Sequence, residues 1–290
     1  MHDTALAAFE KVRPRLFGVA YRMMGSVTEA DDVLQDAWLR WQGTDRDAVR
    51  NPEAFLTTVV TRLSLNALTS ARATRETYVG SWLPEPVSTG DDPALGADRA
   101  EALELAVVML LERLDPAERA AYVLREAFAY PYRQIAAVLA VNEAAARQLA
   151  HRARGHIGRE RATVIDPAER ERIMTAFAAA ATRGDLAALE SVLTQDVVSI
   201  SDGGGVVSAA RMPVVGRAKV ARFVLGALAK FAAGSHPVMV QVNGSPAVLT
   251  VRDGEPDTLL AFEVGPDGIS RLLFVRNPHK LTQLRSLTLP

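Results

Sequence analysis

The clearest chemistry in this chain lies in a set of long polar side chains at helical spacing between positions 143 and 154. On a helix in the major groove of DNA, a Glu can accept from cytosine, an Arg can bind guanine and a Gln can pair with adenine. Cations further along such a helix reach the phosphates. The pattern predicts a DNA-reading helix, and the alternative is the packing of an ordinary helical hairpin. The candidate residues are Glu143, Arg147, Gln148, His151, Arg152 and Arg154.

The element that must position this set is a pair of short helices joined by a tight turn. Apolar spacing predicts one helix over residues 132–139 and a break at 140–142, with Asn142 as the N-cap of the second helix. Asp115-Pro116 predicts the start of a preceding helix, and Asn51-Pro52 predicts the start of another helix nearer the N-terminus. Two short helices around a tight turn are the helix-turn-helix pattern, which binds DNA in many proteins.

A second set of residues forms an acidic patch near the N-terminus. Asp32 and Asp36 are four apart on a predicted helix that begins after Thr28 as N-cap, so they share a face. This face could bind a basic helix of a partner protein, and the alternative is a solvated surface. The residues of this acidic face are Asp31, Asp32, Gln35, Asp36 and the apolar Leu39.

A third set is basic, because no acidic residue occurs between Glu53 and Glu76. Arg72 and Arg75 are three apart and could follow a phosphate track, and Arg side chains also stack on unpaired bases. The alternative is again a solvated face. The members of this basic set are Arg62, Asn66, Arg72 and Arg75.

Composition and patterning predict a multidomain protein. Residues 1–78 and 99–160 read as helical domains, and the Pro- and Gly-containing residues 79–98 read as a linker. Residues 166–290 predict helices on one face of an antiparallel sheet, with strand patterns at 197–200, 237–242, 247–251, 259–264 and 269–275. The chain has no Cys, a net charge of -1, no export signal and no membrane-length apolar run. We therefore expect a cytoplasmic protein with no membrane partner.

The C-terminal region offers scattered residues for acid–base chemistry. The candidates are Asp196, Asp202, His236 and Glu263, and they form no recognisable motif. The five His, at positions 2, 151, 156, 236 and 279, show no spacing typical of metal ligands. We expect no catalysis, no cofactor and no metal, while binding of a small-molecule ligand in this domain stays open.

Taken in order, the first 160 residues resemble the extracytoplasmic-function (ECF) sigma factors. Residues 16–22 and 31–40 resemble the sigma-2 helical bundle, 62–75 its segment for the minus-10 element, and 114–154 the sigma-4 domain. The resemblance implies that the acidic face contacts the beta-prime clamp helices of core RNA polymerase and that the beta flap is a further partner. It also implies that the basic set melts and reads the minus-10 element of promoter DNA, and that the helix-turn-helix reads the minus-35 element.

Three further motifs resemble an ECF subgroup with a fused SnoaL-like (NTF2-like) domain, a conical α+β fold. His279 replaces the Asp that is usual in the last motif. The resemblance implies that this domain regulates the sigma factor in cis, so no dedicated anti-sigma factor is expected; the alternative is local turn chemistry only. The motif residues are Trp82, Leu83, Pro84, Glu85 and Pro86; Asp202, Gly203, Gly204 and Gly205; and Asn277, Pro278, Lys280 and Leu281.

Three functional hypotheses follow. The first is a sigma factor that directs promoter-specific transcription initiation and is modulated in cis by its C-terminal domain. The alternative is a ligand-sensing helix-turn-helix transcription regulator that needs no polymerase. The third is an enzyme with a helical extension. The acidic face and the basic set favour the first hypothesis, since a simple repressor needs neither.

Overall fold

The computed structural model describes residues 2–89, 104–160, 163, 165–231 and 233–287. The chain forms two compact units. The helical unit comprises Met1–Thr77 and Asp91–Glu160, and the C-terminal unit comprises Tyr78–Gly90 and Arg161–Pro290. Parts of the expected linker and of the expected sigma-4 domain, residues 90–98 and 99–103, lie outside the described residues, as does the side chain of Arg72.

The first half of the helical unit contains three long helices: α1 (His2–Met24), α2 (Val27–Gln42) and α3 (Pro52–Glu76). Helix α3 starts as predicted, because the Asn51 side chain accepts from the amide of Ala54 and Pro52 occupies the first turn. The predicted N-cap of α2 is wrong. Ser26, which has extended backbone angles, accepts from the Glu29 amide, so the helix begins before Thr28.

The second half contains α4 (Leu105–Leu111), α5 (Pro116–Tyr122), a π-helical turn (Val123–Ala127), α6 (Tyr132–Leu139) and α7 (Glu143–Glu160). Between α6 and α7, Ala140 adopts a left-handed conformation with φ 55°, and Asn142 accepts from the Ala145 amide at 2.8 Å. The predicted helix-turn-helix is therefore confirmed.

The two halves of the helical unit pack against each other through polar as well as apolar contacts. The hydroxyls of Thr57 and Tyr130 lie 2.9 Å apart in a buried position. Arg15 donates to the carbonyl of Phe128 at 3.1 Å, and the Arg22 guanidinium lies 5.0 Å from the centre of the Phe128 ring. These contacts bring α1 and α3 against the helix-turn-helix half.

The C-terminal unit is a helix-covered sheet. Its helices are α8 (Pro167–Arg183), α9 (Leu186–Ser191) and α10 (Arg217–Phe231). Its strands are β1 (Leu193–Asp202), β2 (Val214–Val215), β3 (Ser235–Val242), β4 (Ser245–Arg252), β5 (Glu255–Gly265) and β6 (Gly268–Val275). Two short 3-10 turns follow, Pro278–Lys280 and Thr282–Leu287.

The strand order is β2-β1-β6-β5-β4-β3. The sheet is mixed, which corrects the expected antiparallel arrangement: strands β3 to β6 form an antiparallel meander, and β6 returns beside β1 in the parallel direction. Ile173 and Phe177 of α8 and Val224 of α10 pack on Val197 and Leu272 of the sheet and form the core on the helical side.

The other face of the sheet is also apolar and buried. Leu249, Leu259 and Val275 lie opposite one another in register across β4, β5 and β6, and all three are fully buried. Leu83 of the linker and Leu284 of the last turn are buried as well, and Thr282–Leu287 packs against β5. Among the described helices of the chain, none is both long and apolar enough to span a membrane.

Candidate functional site

The acidic face predicted near the N-terminus lies on the solvent-exposed side of α2. Val33, Leu34 and Ala37 are buried on the opposite side, so helical periodicity directs the acidic residues outward. Leu39 is 57% exposed. Asp31 pairs with Arg13 at 3.4 Å, but both side chains are about half exposed, so this pair adds little stability. The residues exposed together are Asp31, Asp32, Gln35, Asp36 and Leu39.

The residues of the basic set lie in different environments. Arg62 donates from Nε to the carbonyl of Val138 at 3.0 Å and from a terminal nitrogen to that of Ala137 at 3.1 Å. It therefore satisfies carbonyls in the last turn of α6, which have no partner within their own helix. Asn66 is exposed on α3.

Arg75, from the same set, is held in an ion network. It pairs with Glu29 at 2.9 Å and with Glu112, donates to the carbonyl of Met24, and is 14% exposed. Arg119 also pairs with Glu112, at 2.8 Å. In this arrangement the side chains of Arg62 and Arg75 both contact the helix-turn-helix half; Arg75 is largely buried, whereas Arg62 remains exposed. Sequence reasoning missed Glu112 because this partner lies 37 positions away along the chain.

Helix α7 presents the candidate DNA-contacting residues near its start to solvent. Arg147, Gln148 and His151 are exposed, while Ala146 and Ala150 are fully buried. Arg147 pairs with Glu143, and its guanidinium lies 5.0 Å from the Tyr132 ring centre. These contacts orient the Arg147 side chain near the start of the helix.

Two further cations fix α7 to its neighbours. Arg152 pairs with the buried Glu118 of α5 at 2.6 Å, and Arg154 pairs with Glu126 at 2.7 Å. The hydrogen bond from Glu126 raises the pKa of Arg154, with a further contribution from the hydrogen bond to Tyr132. Both cations remain about half exposed, so they anchor the helix and can still face a phosphate.

The C-terminal unit contains a buried polar cluster that joins the linker to the sheet. We call the residues Tyr78, Leu83, Asp202, Asn277 and Lys280 the linker latch. Asp202, at the end of β1, is fully buried. Its carboxylate accepts from the Tyr78 hydroxyl at 2.6 Å, the Leu83 amide at 2.9 Å and the Lys280 ammonium at 2.8 Å. A buried charge with this many partners is stable, whereas loss of one charged partner would be costly.

Lys280 completes the latch from the other side. Its ammonium donates to the Leu83 carbonyl and lies 4.2 Å from the centre of the Trp82 ring. Asn277 donates to the Tyr78 hydroxyl at 2.8 Å. Burial raises the pKa of that hydroxyl, as does its hydrogen bond to Asp202, so Tyr78 remains a donor at neutral pH. His279, the position at which the motif departs from its usual form, is exposed.

The glycines after Asp202 allow the backbone to lie close against the Asn277 side chain. Gly204 has φ 62°, and a Cβ at this position would collide with the Asn277 side chain. Its amide donates to Asp202 at 3.0 Å. Three consecutive glycines would suit a tight hairpin after a strand ending at Ser201, but that expectation is wrong, because the strand continues through Asp202 and β2 begins only at Val214.

The rest of the linker adds to the edge of the sheet. Val87 and Asn243 exchange two hydrogen bonds, one of them from the Val87 amide to the Asn243 side chain at 2.9 Å. Ser88 bridges Val242 in antiparallel pairing. Pro84 and Pro86 are buried, Glu85 is half-buried and Leu281 is buried in the tail. Sequence reasoning missed Tyr78 and Asn243, which lie outside the recognised motifs.

The candidate acid–base residues do not converge. Asp196 and His236 are exposed, Glu263 pairs with Arg271 at 2.7 Å and Asp202 belongs to the latch. Within the part of the chain that the structure describes, no three His, Asp or Glu residues are grouped so as to hold a metal ion. The arrangement suits binding and restraint rather than proton transfer.

Comparison with known proteins agrees with this geometry. The chain matches the family models for Sigma-70 region 2 over residues 8–74 and Sigma-70, region 4 over residues 104–157. It is 40% identical to the ECF RNA polymerase sigma factor SigJ of Mycobacterium tuberculosis, over 96% of this chain and 93% of SigJ. It is 33% identical to the probable ECF sigma factor SigI of the same species, over 98% of this chain and 97% of SigI.

A crystal structure of M. tuberculosis SigJ matches with a TM-score of 0.78 and 38% identity, over 96% of this chain and 98% of that chain. The match extends through the C-terminal unit, which has the SnoaL-like (NTF2-like) α+β fold. These findings favour a sigma factor over a ligand-sensing repressor or an enzyme. The chain therefore belongs to the ECF RNA polymerase sigma factors, which are not enzymes but bind core RNA polymerase and promoter DNA and direct transcription initiation.

Proposed function

We propose that the acidic face of α2 binds the beta-prime clamp helices of core RNA polymerase, and that the helix-turn-helix half also contacts the beta flap. Asp32 and Asp36 support this, since both are exposed and neither has an ion-pair partner within the described residues. Because these partners act in the cytoplasm, we place the protein there. The proposed domains are residues 1–78, 99–160 and 166–290, with a linker over 79–98.

In the same proposal, the exposed residues of α7 read the minus-35 element. Glu143, Arg147 and Gln148 near the helix start face bases, and the later residues His151, Arg152 and Arg154 face phosphates. Asn66, together with Arg62, Arg72 and Arg75, engages the melted minus-10 strand. Arg62 and Arg75 must first leave their contacts with α6 and Glu112, so promoter melting requires the helical unit to open.

The C-terminal unit would control this opening through the linker. The segment from Tyr78 to Thr89 is bound to the sheet of the C-terminal unit. Only the residues from 90 to 104 then remain to connect this segment to α4. A shortened connector limits how far the two halves of the helical unit can separate. The observation that carries this proposal is the buried Asp202 carboxylate with its bonds to Tyr78, Leu83 and Lys280. With this restraint in cis, no dedicated anti-sigma factor is needed.

Substitution of Asp202 tests the proposal. Asp202→Asn leaves Lys280 buried without its counter-charge, which in comparable buried pairs costs about 3–5 kcal/mol and should release the linker. We expect more promoter-specific run-off transcript with purified core polymerase than the wild-type chain yields. Asp196→Asn is the matched control, because Asp196 lies on the same strand but is exposed.

Equal or lower output from Asp202→Asn, with the helical unit still folded by circular dichroism, would contradict restraint by the linker. A rise in the Asp196→Asn control as large as that in Asp202→Asn would contradict the role of the latch.

A further inference from the structure

A cavity of about 330 Å³ lies beside the linker latch within the C-terminal unit. Val79 and Gly80 of the linker form one side, and the chain from Ser201 to Arg211 forms the rest. The volume falls at the lower end of the range for small-molecule sites, about 300–1,000 Å³. None of these residues has a role in the promoter or polymerase contacts proposed above.

The wall of the cavity includes a serine with a hydroxyl available to bind a ligand. Ser201 is 4% exposed and lines the cavity. Its Oγ makes no hydrogen bond to any residue that the structure describes. A serine hydroxyl can both donate and accept, so it could bond to a polar group placed in this cavity.

The charge of the lining selects the kind of ligand. Arg211 is the one ionisable side chain among the lining residues, all of which are described, and no carboxylate lines the cavity. Arg211 is exposed and has no ion-pair partner within the described residues. A guanidinium and serine hydroxyls together match the oxygens of a carboxylate or a phosphate.

We propose that this cavity binds a small anion through a carboxylate or phosphate group, with Arg211 and Ser201 as its two polar contacts. Because Val79 and Gly80 complete the wall, the cavity is whole only while the linker is docked. An anion bound there favours the docked state, since a ligand shifts an equilibrium towards the state that it binds better. This regulatory consequence rests on the proposed function, whereas the binding itself does not.

Calorimetric titration of the full chain with inorganic phosphate, and separately with acetate, tests the site. We expect saturable binding of at least one anion, and Ser201→Ala and Arg211→Gln should each weaken it about tenfold, as expected for loss of one charge-assisted hydrogen bond. Arg183→Gln is the control, because Arg183 is an exposed cation of the same unit outside the cavity. The anion that binds shows whether the site recognises a phosphate or a carboxylate group.

The proposal fails if neither anion binds saturably, or if Ser201→Ala and Arg211→Gln bind as tightly as the wild-type chain. Chymotrypsin cleavage at Tyr78 or Trp82 then tests the coupling separately. The bound anion should slow this cleavage at least severalfold in the wild-type chain and leave it unchanged in Arg211→Gln. If the anion binds but does not protect the linker from cleavage, the binding site is supported and its coupling to linker docking is contradicted.

Discussion

One carboxylate, Asp202, has a central role in the C-terminal unit. A fully buried charge is tolerated in proteins only with close partners, and this one receives a tyrosine hydroxyl, a backbone amide and an ammonium. Tyr78, just before the linker, and Leu83 within it contribute two of these donors, and the tail contributes the third. The three motifs that are far apart in sequence are therefore parts of one buried cluster.

The Tyr78 hydroxyl makes the stability that the latch contributes depend on pH in alkaline solution. Burial and the bond to Asp202 raise its pKa in the folded chain, whereas an unfolded tyrosine ionises near pH 10. The stability that depends on the protonated hydroxyl is complete below about pH 10 and declines above it, because only the unfolded chain then loses the proton. We expect Tyr78→Phe to lower the free energy of unfolding by about 1–3 kcal/mol at pH 8.

The difference in unfolding free energy between wild type and Tyr78→Phe should shrink above about pH 10. Urea unfolding at a series of pH values measures it, with Tyr132→Phe in the helical unit as the control. A difference that stays constant up to pH 11 would contradict a half-buried Tyr78 hydroxyl that keeps its proton in the folded chain.

Residue patterns in the sequence pointed to Asp202 and Lys280 but not to their partners. Tyr78 and Asp202 are separated by 124 positions, and nothing local in either segment specifies that they meet. The same holds for Arg75 and Glu112. The types and spacing of side chains indicated chemistry, whereas tertiary packing decided which donor meets which acceptor.

At the scale of elements, local signals worked where they were strong. Asn51-Pro52 and Asn142 predicted the starts of α3 and α7 because each Asn caps its helix directly. Strand β2 was missed because two residues carry no periodicity. The parallel pairing of β1 with β6 was missed because it depends on the whole chain order rather than on either strand.

Helix α7 has the clearest functional prediction at this scale. Arg147 is exposed near its start, where a helix in the major groove meets bases. We expect Arg147→Gln to weaken binding to the preferred minus-35 sequence by about 1–3 kcal/mol and to relax base preference at one position. Arg159→Gln, at the end of the same helix, should weaken binding to all sequences alike. Fluorescence anisotropy with a set of single-base variants measures both.

Equal losses on every sequence for Arg147→Gln would show that this side chain contacts phosphates only. A loss of base preference in Arg159→Gln would place the reading residues at the wrong end of α7.

At the scale of the whole molecule, the helical unit is closed through residues that the proposal also assigns to promoter DNA. Arg62 lies on the last turn of α6, and Arg75 lies between Glu29 and Glu112. In the proposal, binding to a melted strand would draw these side chains away from their present contacts, above all the largely buried Arg75. Closure and promoter engagement would then be competing states, and the linker latch would bias the balance between them.

Glu112 offers a way to disturb closure without substituting any of the proposed DNA-contacting residues. Glu112→Gln weakens the pairs with Arg75 and Arg119, and we expect it to shift the helical unit towards the open state. Asp47→Asn is the control, because Asp47 is exposed and pairs with no cation within the described residues.

The central claim can be measured as a distance between the two halves of the helical unit. The chain has no Cys, so dyes attached to Arg50→Cys and Asp115→Cys, both exposed positions, report resonance energy transfer from defined sites. We predict that the distance lengthens when core polymerase and promoter DNA bind, and that Glu112→Gln alone lengthens it while Asp47→Asn does not. An unchanged distance in a complex that is actively transcribing would contradict opening of the helical unit and with it the proposed regulation.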